Sequence, residues 1–202
     1  MSKIKVLFSD IGGVLLTNGW DHLSRKEACI RFNLDYEQLE ARHNFIFNTY
    51  EIGKISLDDY LDTAVFYEEK NFSKQEFIDF MLSRSIQLPD TLDWMIDWKR
   101  KHPDIKVISI NNEPRDLNWY RIHRFNLHRF FDAFISSCEV GMRKPDPGIF
   151  NLAVGIAQVK PEECLYIDDR KMLVKAAAQT GIYAFVHENL ESTQKIFEKY
   201  FD

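Results

Sequence analysis

The stretch KVLFSDIGGVLL, residues 5–16, gives the clearest indication of the fold. A short apolar run ends in an acid, Asp10, and two glycines, Gly12 and Gly13, follow before a second apolar run begins. Consecutive apolar residues are typical of a strand that helices cover on both faces. An acid at the end of such a strand, beside backbone that a ligand can approach closely, indicates a reaction centre at the carboxyl edge of a parallel sheet.

Composition sets the broad class of the protein. The chain has 202 residues, 45% of them hydrophobic, which suits one medium domain that carries an insertion. The formal net charge of −5, without a block of like charges, argues against a nucleic-acid partner. Three isolated cysteines predict reduced thiols rather than disulfides or a zinc site. With no signal-peptide core and no apolar run near the roughly 18 residues that span a bilayer, we expect a soluble, cytoplasmic protein that does not bind membranes.

Five short runs rich in β-branched and apolar residues predict strands, with helical patterns between them. The runs are residues 4–9, 105–110, 131–136, 164–167 and 182–186. Two helix starts also have a clear signal, since Asp90 can cap one helix and Asp146, followed by Pro147, can cap another. Alternating strands and helices predict an α/β fold, with a mainly parallel, Rossmann-like sheet between two layers of helices.

The segment 16–88 interrupts this alternation. It contains four amphipathic helical patterns and no convincing strand. We therefore predict a core made of residues 1–15 and 89–202, with a helical cap of residues 16–88 inserted after the first strand. A cap at this point would lie over the carboxyl edge of the sheet, where a lid belongs.

Polar side chains follow four of the predicted strands, at the edge where ligands bind in open α/β sheets. They are Asp10, Asn111 and Asn112, Lys144, and the pair Asp168 and Asp169. Several carboxylates in one cleft repel each other unless a cation is present, and Mg²⁺ prefers such oxygen ligands. A lysine supplies positive charge for an anionic group, and an aspartate held against a phosphate can attack it as a nucleophile.

Three stretches in this order resemble the motifs of the haloacid dehalogenase (HAD) superfamily of hydrolases. They are FSDIGGVL at 8–15, GMRKPDPGIF at 141–150 and CLYIDDR at 164–170. The resemblance covers nearly the whole chain, and the cap is its least specific part. It implies a hydrolase with phosphatase-type chemistry that uses Mg²⁺, forms an aspartyl-phosphate intermediate and acts on a small phosphorylated metabolite.

The resemblance also implies roles for single residues. Asp10 corresponds to the catalytic nucleophile, and Lys144 corresponds to the lysine that neutralises the nucleophile and the phosphate. Asn111 and Asn112 correspond to the polar loop that holds the phosphate, and Gly13 corresponds to the glycine that lets the backbone approach it.

The metal ligands implied by the resemblance are Asp10, the backbone carbonyl of Gly12, and the acidic pair. Of that pair, Asp169 is expected to contact the metal directly and Asp168 to contact it through water.

The chain departs from the phosphatase pattern at three positions. Gly12 replaces the aspartate that acts as general acid and base, Ile110 stands where Ser or Thr is usual, and Leu173 replaces an amide. The lost proton transfer predicts a slow enzyme unless the substrate has a good leaving group or supplies its own proton. Asp21 and His22 are two candidates to replace the missing acid, but the spacing does not fix the direction in which their side chains point.

Two alternatives follow from these departures. A metal-independent dehalogenase would not need the lost acid, because a halide leaves without a proton. A weakly active or non-catalytic protein that binds a phosphorylated ligand or a partner is the other alternative.

The stretch RIHRFNLHRF, residues 121–130, holds a basic cluster at helical spacing. In a net acidic chain, we interpret Arg121, Arg124 and His128 as a solvated face rather than a substrate site.

Overall fold

Five strands form one sheet in the computed structural model, which describes residues 3–201. Residues 1, 2 and 202 of the predicted core lie outside the described residues. The strands are β1 (Val6–Ser9), β2 (Lys106–Asn111), β3 (Ala133–Ser136), β4 (Cys164–Asp168) and β5 (Tyr183–Val186). All neighbouring strands pair in parallel, in the order β3-β2-β1-β4-β5, so the predicted α/β sheet is confirmed.

The first four of the five helices between β1 and β2 form the inserted helical cap, which is thereby confirmed. They are α1 (His22–Phe32), α2 (Tyr36–Glu51), α3 (Leu57–Ala64) and α4 (Lys74–Ser83). Below, "the cap" means these four helices, the loops between them and residues 18–21, which lead into α1. The remaining helices are α5 (Thr91–Lys101), α6 (Arg115–Arg124), α7 (Ser137–Val140), α8 (Pro147–Ala157), α9 (Lys171–Ala178) and α10 (Leu190–Phe201).

Side chains of β1 alternate between two apolar cores, one on each face of the sheet. Leu7 belongs to the core that is closed by α5 and α10. Val6 and Phe8 belong to the opposite core, which is closed by α8. Because both faces are covered, every residue of β1 is buried.

The strand order places the predicted acids next to each other. The chain runs from β1 outward through β2 and β3, then returns to the other side of β1 with β4. Leu7 therefore pairs with Val107 on one side and with Leu165 on the other. The carboxyl ends of β1 and β4 are neighbours at this change of direction, which is where open α/β sheets bind ligands.

The interior of the cap is largely aromatic. Phe77 contacts Trp20 edge-on and packs against Phe32 and Phe72, with ring centroids 5.1–6.0 Å apart. The two segments that join cap and core run side by side. The Thr17 N–H donates to the Ile86 carbonyl at 2.8 Å.

The two predicted helix starts have different outcomes. Asp146 caps α8 through a hydrogen bond from the Gly148 N–H at 2.7 Å, with Pro147 in the first turn. Asp90 precedes α5 as predicted, but its backbone is left-handed, with φ of 62°, and its side chain makes no capping hydrogen bond. The predicted cap at Asp90 is therefore wrong, because this conformation does not present the carboxylate to the first turn. Among residues 3–201, no helix combines the length and apolarity needed to cross a membrane.

Candidate active site

A cavity of about 490 Å³ lies between the cap and the carboxyl edge of the sheet. Asp10, Gly12, Asn112 and Lys144 line it from the core. The cap contributes Trp20, Asp21, His22, Arg25, Phe47 and Glu51. The predicted position of the cap over the reactive edge thus agrees with the shape of the molecule.

Lys144 is the centre of a buried polar network. Its Nζ lies 3.1 Å from Oδ1 of Asp10 and 2.8 Å from Oδ2 of Asp168. The same ammonium donates to the Tyr166 hydroxyl at 3.0 Å, and Tyr166 donates in turn to Asp168. One cation therefore bridges the ends of β1 and β4.

Burial and charge oppose each other in this network. Burial raises the pKa of Asp10 to about 6, since the effect of Lys144, which lowers it, is smaller. Burial would lower the pKa of Lys144, but Asp10 and Asp168 together outweigh it and raise that pKa. Burial likewise opposes ionisation of Asp168, yet Lys144 and Tyr166 hold its pKa below the ordinary value. Lys144 and Asp168 thus remain a charged pair, and the charge of Asp10 depends on what else enters the site.

Three carboxylates are close enough to share a metal ion. Oxygen atoms of Asp10, Asp168 and Asp169 all lie within 4.8 Å of one another. Asp168 is fully engaged, since Lys144 and Tyr166 bond its Oδ2 and the Arg170 N–H bonds its Oδ1 at 2.8 Å. Among residues 3–201, no group donates a hydrogen bond to the buried Oδ1 of Asp169, which lies 4.0 Å from Nε of Arg170. A cluster of acids with an unsatisfied buried oxygen fits a hard divalent cation.

The two glycines after Asp10 have different surroundings. Gly13 has φ of 71°, and a Cβ there would lie 2.2 Å from Oδ2 of Asp169, so only glycine lets the loop pack against the acid. Gly12 lines the cavity, and a Cβ there would lie 3.0 Å from Oδ1 of Asn18 and 3.7 Å from Nη1 of Arg121.

Asn111 and Asn112 differ in position. Asn112 lines the cavity, and its side chain donates to the Lys144 carbonyl at 2.9 Å and accepts from the Lys144 N–H at 2.8 Å. It therefore fixes the backbone of the loop that carries the lysine. Asn111 is still part of β2 and is buried outside the cavity, bonded to Asn118 and Ser136. We drop Asn111 from the substrate-binding residues for this reason.

The prediction of a solvated basic face is wrong for one of its three members. Arg124 and His128 are exposed, but Arg121 is 1% exposed and bonds the Glu113 carboxylate and the Thr17 carbonyl. Sequence reasoning missed both Glu113 and Arg121. The burial of Arg121 could have been predicted, because Arg121 follows the apolar Leu117 by four residues and so shares its face of the helix.

Glu51 and Arg143 were also not predicted from the sequence, and both line the cavity. Glu51 ends α2 and Arg143 lies just before Lys144, and their charged groups are 2.7 Å apart. This ion pair crosses from the cap to the core beside the site.

The comparison with known proteins agrees with this geometry. The model of a haloacid dehalogenase-like hydrolase family matches residues 4–181. The chain belongs to this family of hydrolases. Its fold is shared with a HAD family enzyme from Bacteroides thetaiotaomicron, solved in complex with magnesium and inorganic phosphate. That structure has a TM-score of 0.77 and 24% identity, and the match covers 94% of this chain and 98% of that one.

Two curated relatives of this HAD-like chain are named as hydrolases of phosphorylated molecules. It is 28% identical over 167 residues to flavin mononucleotide hydrolase 1 from Arabidopsis thaliana, a match that covers 81% of this chain and 66% of the relative. It is 31% identical over 180 residues to glyceraldehyde 3-phosphate phosphatase from Methanothermobacter thermautotrophicus. That match covers 83% of this chain and 77% of the relative. The chain thus spans slightly less than two thirds of the length of the first relative.

Proposed function

We propose that this HAD-like hydrolase is a Mg²⁺-dependent phosphatase that cleaves a small phosphorylated metabolite through an aspartyl-phosphate on Asp10. The observation that carries the proposal is the position of Lys144, whose Nζ lies 3.1 Å from Asp10 and 2.8 Å from Asp168. A buried cation at the attacking carboxylate can neutralise a phosphoryl group as it arrives.

The acidic cluster fits the metal that the proposal requires. Asp10, Asp169 and the Gly12 carbonyl would contact Mg²⁺ directly, and Asp168 would contact it through water because both of its oxygens are already bonded. The bound ion would supply positive charge for the phosphoryl oxygens. The relative solved with magnesium and inorganic phosphate supports this choice of ion.

The remaining residues of the cavity suit a small substrate. Asn112 holds the Lys144 backbone in place, and Gly13 keeps the loop after β1 against Asp169. Trp20 and Phe47 of the cap offer apolar surface for the part of the substrate beyond the phosphate. The names of both curated relatives support a phosphorylated small molecule. The absence of a nucleic-acid partner and a cytoplasmic location stay predictions from the sequence.

The reaction has two steps in which this chain's residues take part. A carboxylate oxygen of Asp10 attacks phosphorus, a phosphorus–oxygen bond forms, and the bond to the leaving alcohol breaks. Water then attacks the same phosphorus, which releases inorganic phosphate and returns Asp10 to the carboxylate. Lys144 balances the charge on the phosphoryl oxygens throughout.

An assay with p-nitrophenyl phosphate and MgCl₂ tests the proposal. We expect phosphate release that disappears with a chelator and in Asp10→Asn, but persists in Asp104→Asn, which changes an exposed acid before β2. Rapid quenching should trap a phosphoryl group on the peptide that contains Asp10. Chloride release from a 2-haloacid that is indifferent to chelator would instead establish the dehalogenase reaction, and absence of both reactions would overturn the enzymatic proposal.

A further inference from the structure

The space beside Gly12 is taken by groups from elsewhere in the fold. The backbone of Gly12 is not left-handed, so a side chain is conformationally allowed there. The atoms that such a side chain would meet are Oδ1 of Asn18 and Nη1 of Arg121. The same Nη1 of Arg121 donates to Oε1 of Glu113. Arg121 thus joins the two places, because the Nη1 that binds the Glu113 carboxylate lies 3.7 Å from the position of a Cβ at residue 12.

Glu113 is oriented by contacts at both ends. It lies two residues after the end of β2 and lines the cavity together with Asp10 and Gly12. Its backbone N–H donates to the Ser137 hydroxyl at 3.0 Å, which fixes the loop. Glu113 is 7% exposed, and within residues 3–201 its Oε2 has no hydrogen-bond partner. Glu113 therefore has one oxygen anchored by Arg121 and one buried oxygen without a partner among the described residues, beside the cavity, and such an oxygen is suited to bind a proton.

We propose that Glu113 is the acid–base residue of this site and performs, from the loop after β2, the proton transfer that Gly12 cannot perform. The inference rests on the proposed phosphatase function and adds to it the source of the proton. Arg121 acts as a positioning residue, because it holds one Glu113 oxygen and leaves the other free.

The charges around Glu113 agree with this role. Burial raises the pKa of Glu113 to about 7, Arg121 opposes the rise, and Asp10 and Glu51 add to it. A group that titrates near neutral pH can give a proton in one step and take one in the next.

The proton balance of the two steps is complete with Glu113 alone. In the first step Glu113 carries the proton and gives it to the ester oxygen, which leaves as a neutral alcohol while Asp10 takes the phosphoryl group. In the second step the Glu113 carboxylate accepts a proton from the attacking water, whose oxygen bonds to phosphorus as the bond to Asp10 breaks. Glu113 is then protonated again for the next turnover.

Other acids and bases of the cavity are less suited. The Asp21 carboxylate caps α1 by accepting from the Ser24 N–H at 2.9 Å, and His22 is exposed. Glu51 is paired with Arg143 at 2.7 Å. Arg121, whose Nη1 lies 3.7 Å from the position of a Cβ at Gly12, bonds Glu113.

The dependence of the rate on the leaving group tests the proposal. p-Nitrophenol leaves readily as an anion, whereas an aliphatic alcohol needs a proton. Glu113→Gln, which keeps the shape of the side chain, should lose about 10²–10³-fold in kcat/KM on an alkyl phosphate such as glycerol phosphate. On p-nitrophenyl phosphate its kcat/KM, which reports only the first step, should fall less than about 5-fold, whereas its kcat should fall on both substrates because the second step is common to them. Glu139→Gln, which changes an exposed glutamate of α7, should leave both rates unchanged.

Two further variants separate proton transfer from a structural role. Glu113→Asp retains an acid and should exceed Glu113→Gln on the alkyl phosphate by about 10-fold. Adding Gly12→Asp to Glu113→Gln should restore activity on the alkyl phosphate, because the acid is then supplied from position 12. Melting temperatures of all variants show whether they are folded.

The outcomes distinguish this inference from the proposed function. If Glu113→Gln lost equal factors of kcat/KM on both substrates, or lost none on the alkyl phosphate, the role of Glu113 would be overturned. The phosphatase proposal would remain intact. Failure of the wild-type protein to hydrolyse either substrate would overturn both.

Discussion

Two buried regions of this molecule are built in opposite ways. At the carboxyl edge of the sheet, Lys144, Asp10 and Asp168 bring charges together out of water. In the cap, Phe77 and its neighbours form a buried cluster of aromatic and aliphatic side chains. Burial of the first region costs free energy, because the charged groups lose their hydration and their mutual attraction compensates for only part of that loss. The second stabilises the fold through buried apolar area and ring contacts.

The difference between the charged edge of the sheet and the aromatic cap indicates where substitutions should affect chemistry and where they should affect stability. A buried charge cluster of doubtful benefit to stability is best explained by the reaction it supports. An aromatic core away from the reacting atoms is best explained by the need to hold the cap together. Substitutions in the two regions test whether chemistry and stability are separated in this way.

Lys144→Met should have the largest effect, because it removes the one cation that both acids share. We expect a loss of about 10³-fold or more in phosphatase activity, since no other group at that position neutralises the phosphate. Stability should also fall by about 3–5 kcal/mol, because Asp10 and Asp168 are left buried without the cation that neutralises them. Lys171→Met, which changes an exposed lysine of α9, is the matched control. Urea denaturation and phosphate release measure the two effects, and near wild-type activity would show that the network is not catalytic.

Phe77→Ala should test the cap in the same terms. Phe77 is fully buried among four aromatic rings, so its truncation should cost about 3–5 kcal/mol. Phe45→Ala in the same cap removes a ring that is 79% exposed and should cost less than about 0.5 kcal/mol. Thermal and urea unfolding monitored by circular dichroism give these values. If both variants were equally stable, the aromatic cluster would not be the source of the cap's stability.

Gly53→Ala should report on the contact between the two regions. Gly53 follows α2 with φ of 73°, and a Cβ there would lie 2.2 Å from the carbonyl oxygen of Cys138 in α7. Gly141 has a similar φ of 67° but no atom within 4 Å of a Cβ. Gly141→Ala should therefore cost only the backbone strain, about 1 kcal/mol, and Gly53→Ala about 2–3 kcal/mol because the cap must also shift.

The KM of the two glycine variants provides a second measure. Displacement of α2 moves Glu51 away from Arg143, so Gly53→Ala should raise KM, whereas Gly141→Ala should not. Equal stability and equal KM for both variants would show that the cap does not depend on this close contact.

The parts of the site that the sequence predicts are those that the sheet alone positions. Asp10 and Asp168 follow strands whose apolar runs are plain in the sequence, and parallel pairing brings their ends together. Tyr166 could have been found by the same reasoning, because it lies two residues before Asp168 and faces the same side of β4.

The parts that the sequence does not predict depend on element ends and on helix rotation. β2 continues one residue beyond the predicted end, so Asn111 belongs to the strand and Asn112 begins the loop. The pairing of Arg121 with Glu113 depends on how α6 rotates against the segment that contains Thr17, 104 residues away in the chain. Local periodicity contains no information about such a long-range contact.

The buried His43 should make the stability of the cap depend on pH. The His43 Nδ1 lies 2.9 Å from the Tyr60 hydroxyl, and the imidazole ring packs on Phe47. Burial, with a smaller contribution from Arg25, lowers the pKa of His43 from 6.5 to about 3. Between these values the unfolded chain binds a proton that the folded chain does not, so stability falls as pH decreases through this window, by up to about 1.4 kcal/mol per pH unit.

His43→Gln should reduce this loss, because glutamine keeps a polar contact to Tyr60 and takes up no proton. Its free energy of unfolding should be lower than that of wild type at pH 7.5, and the gap should narrow or reverse near pH 5. His128→Gln, which changes an exposed histidine, should follow the wild-type pH profile. Urea denaturation at a series of pH values measures the slopes. An identical slope for His43→Gln and wild type would mean that the acid sensitivity of the protein arises at the charged edge of the sheet rather than in the cap.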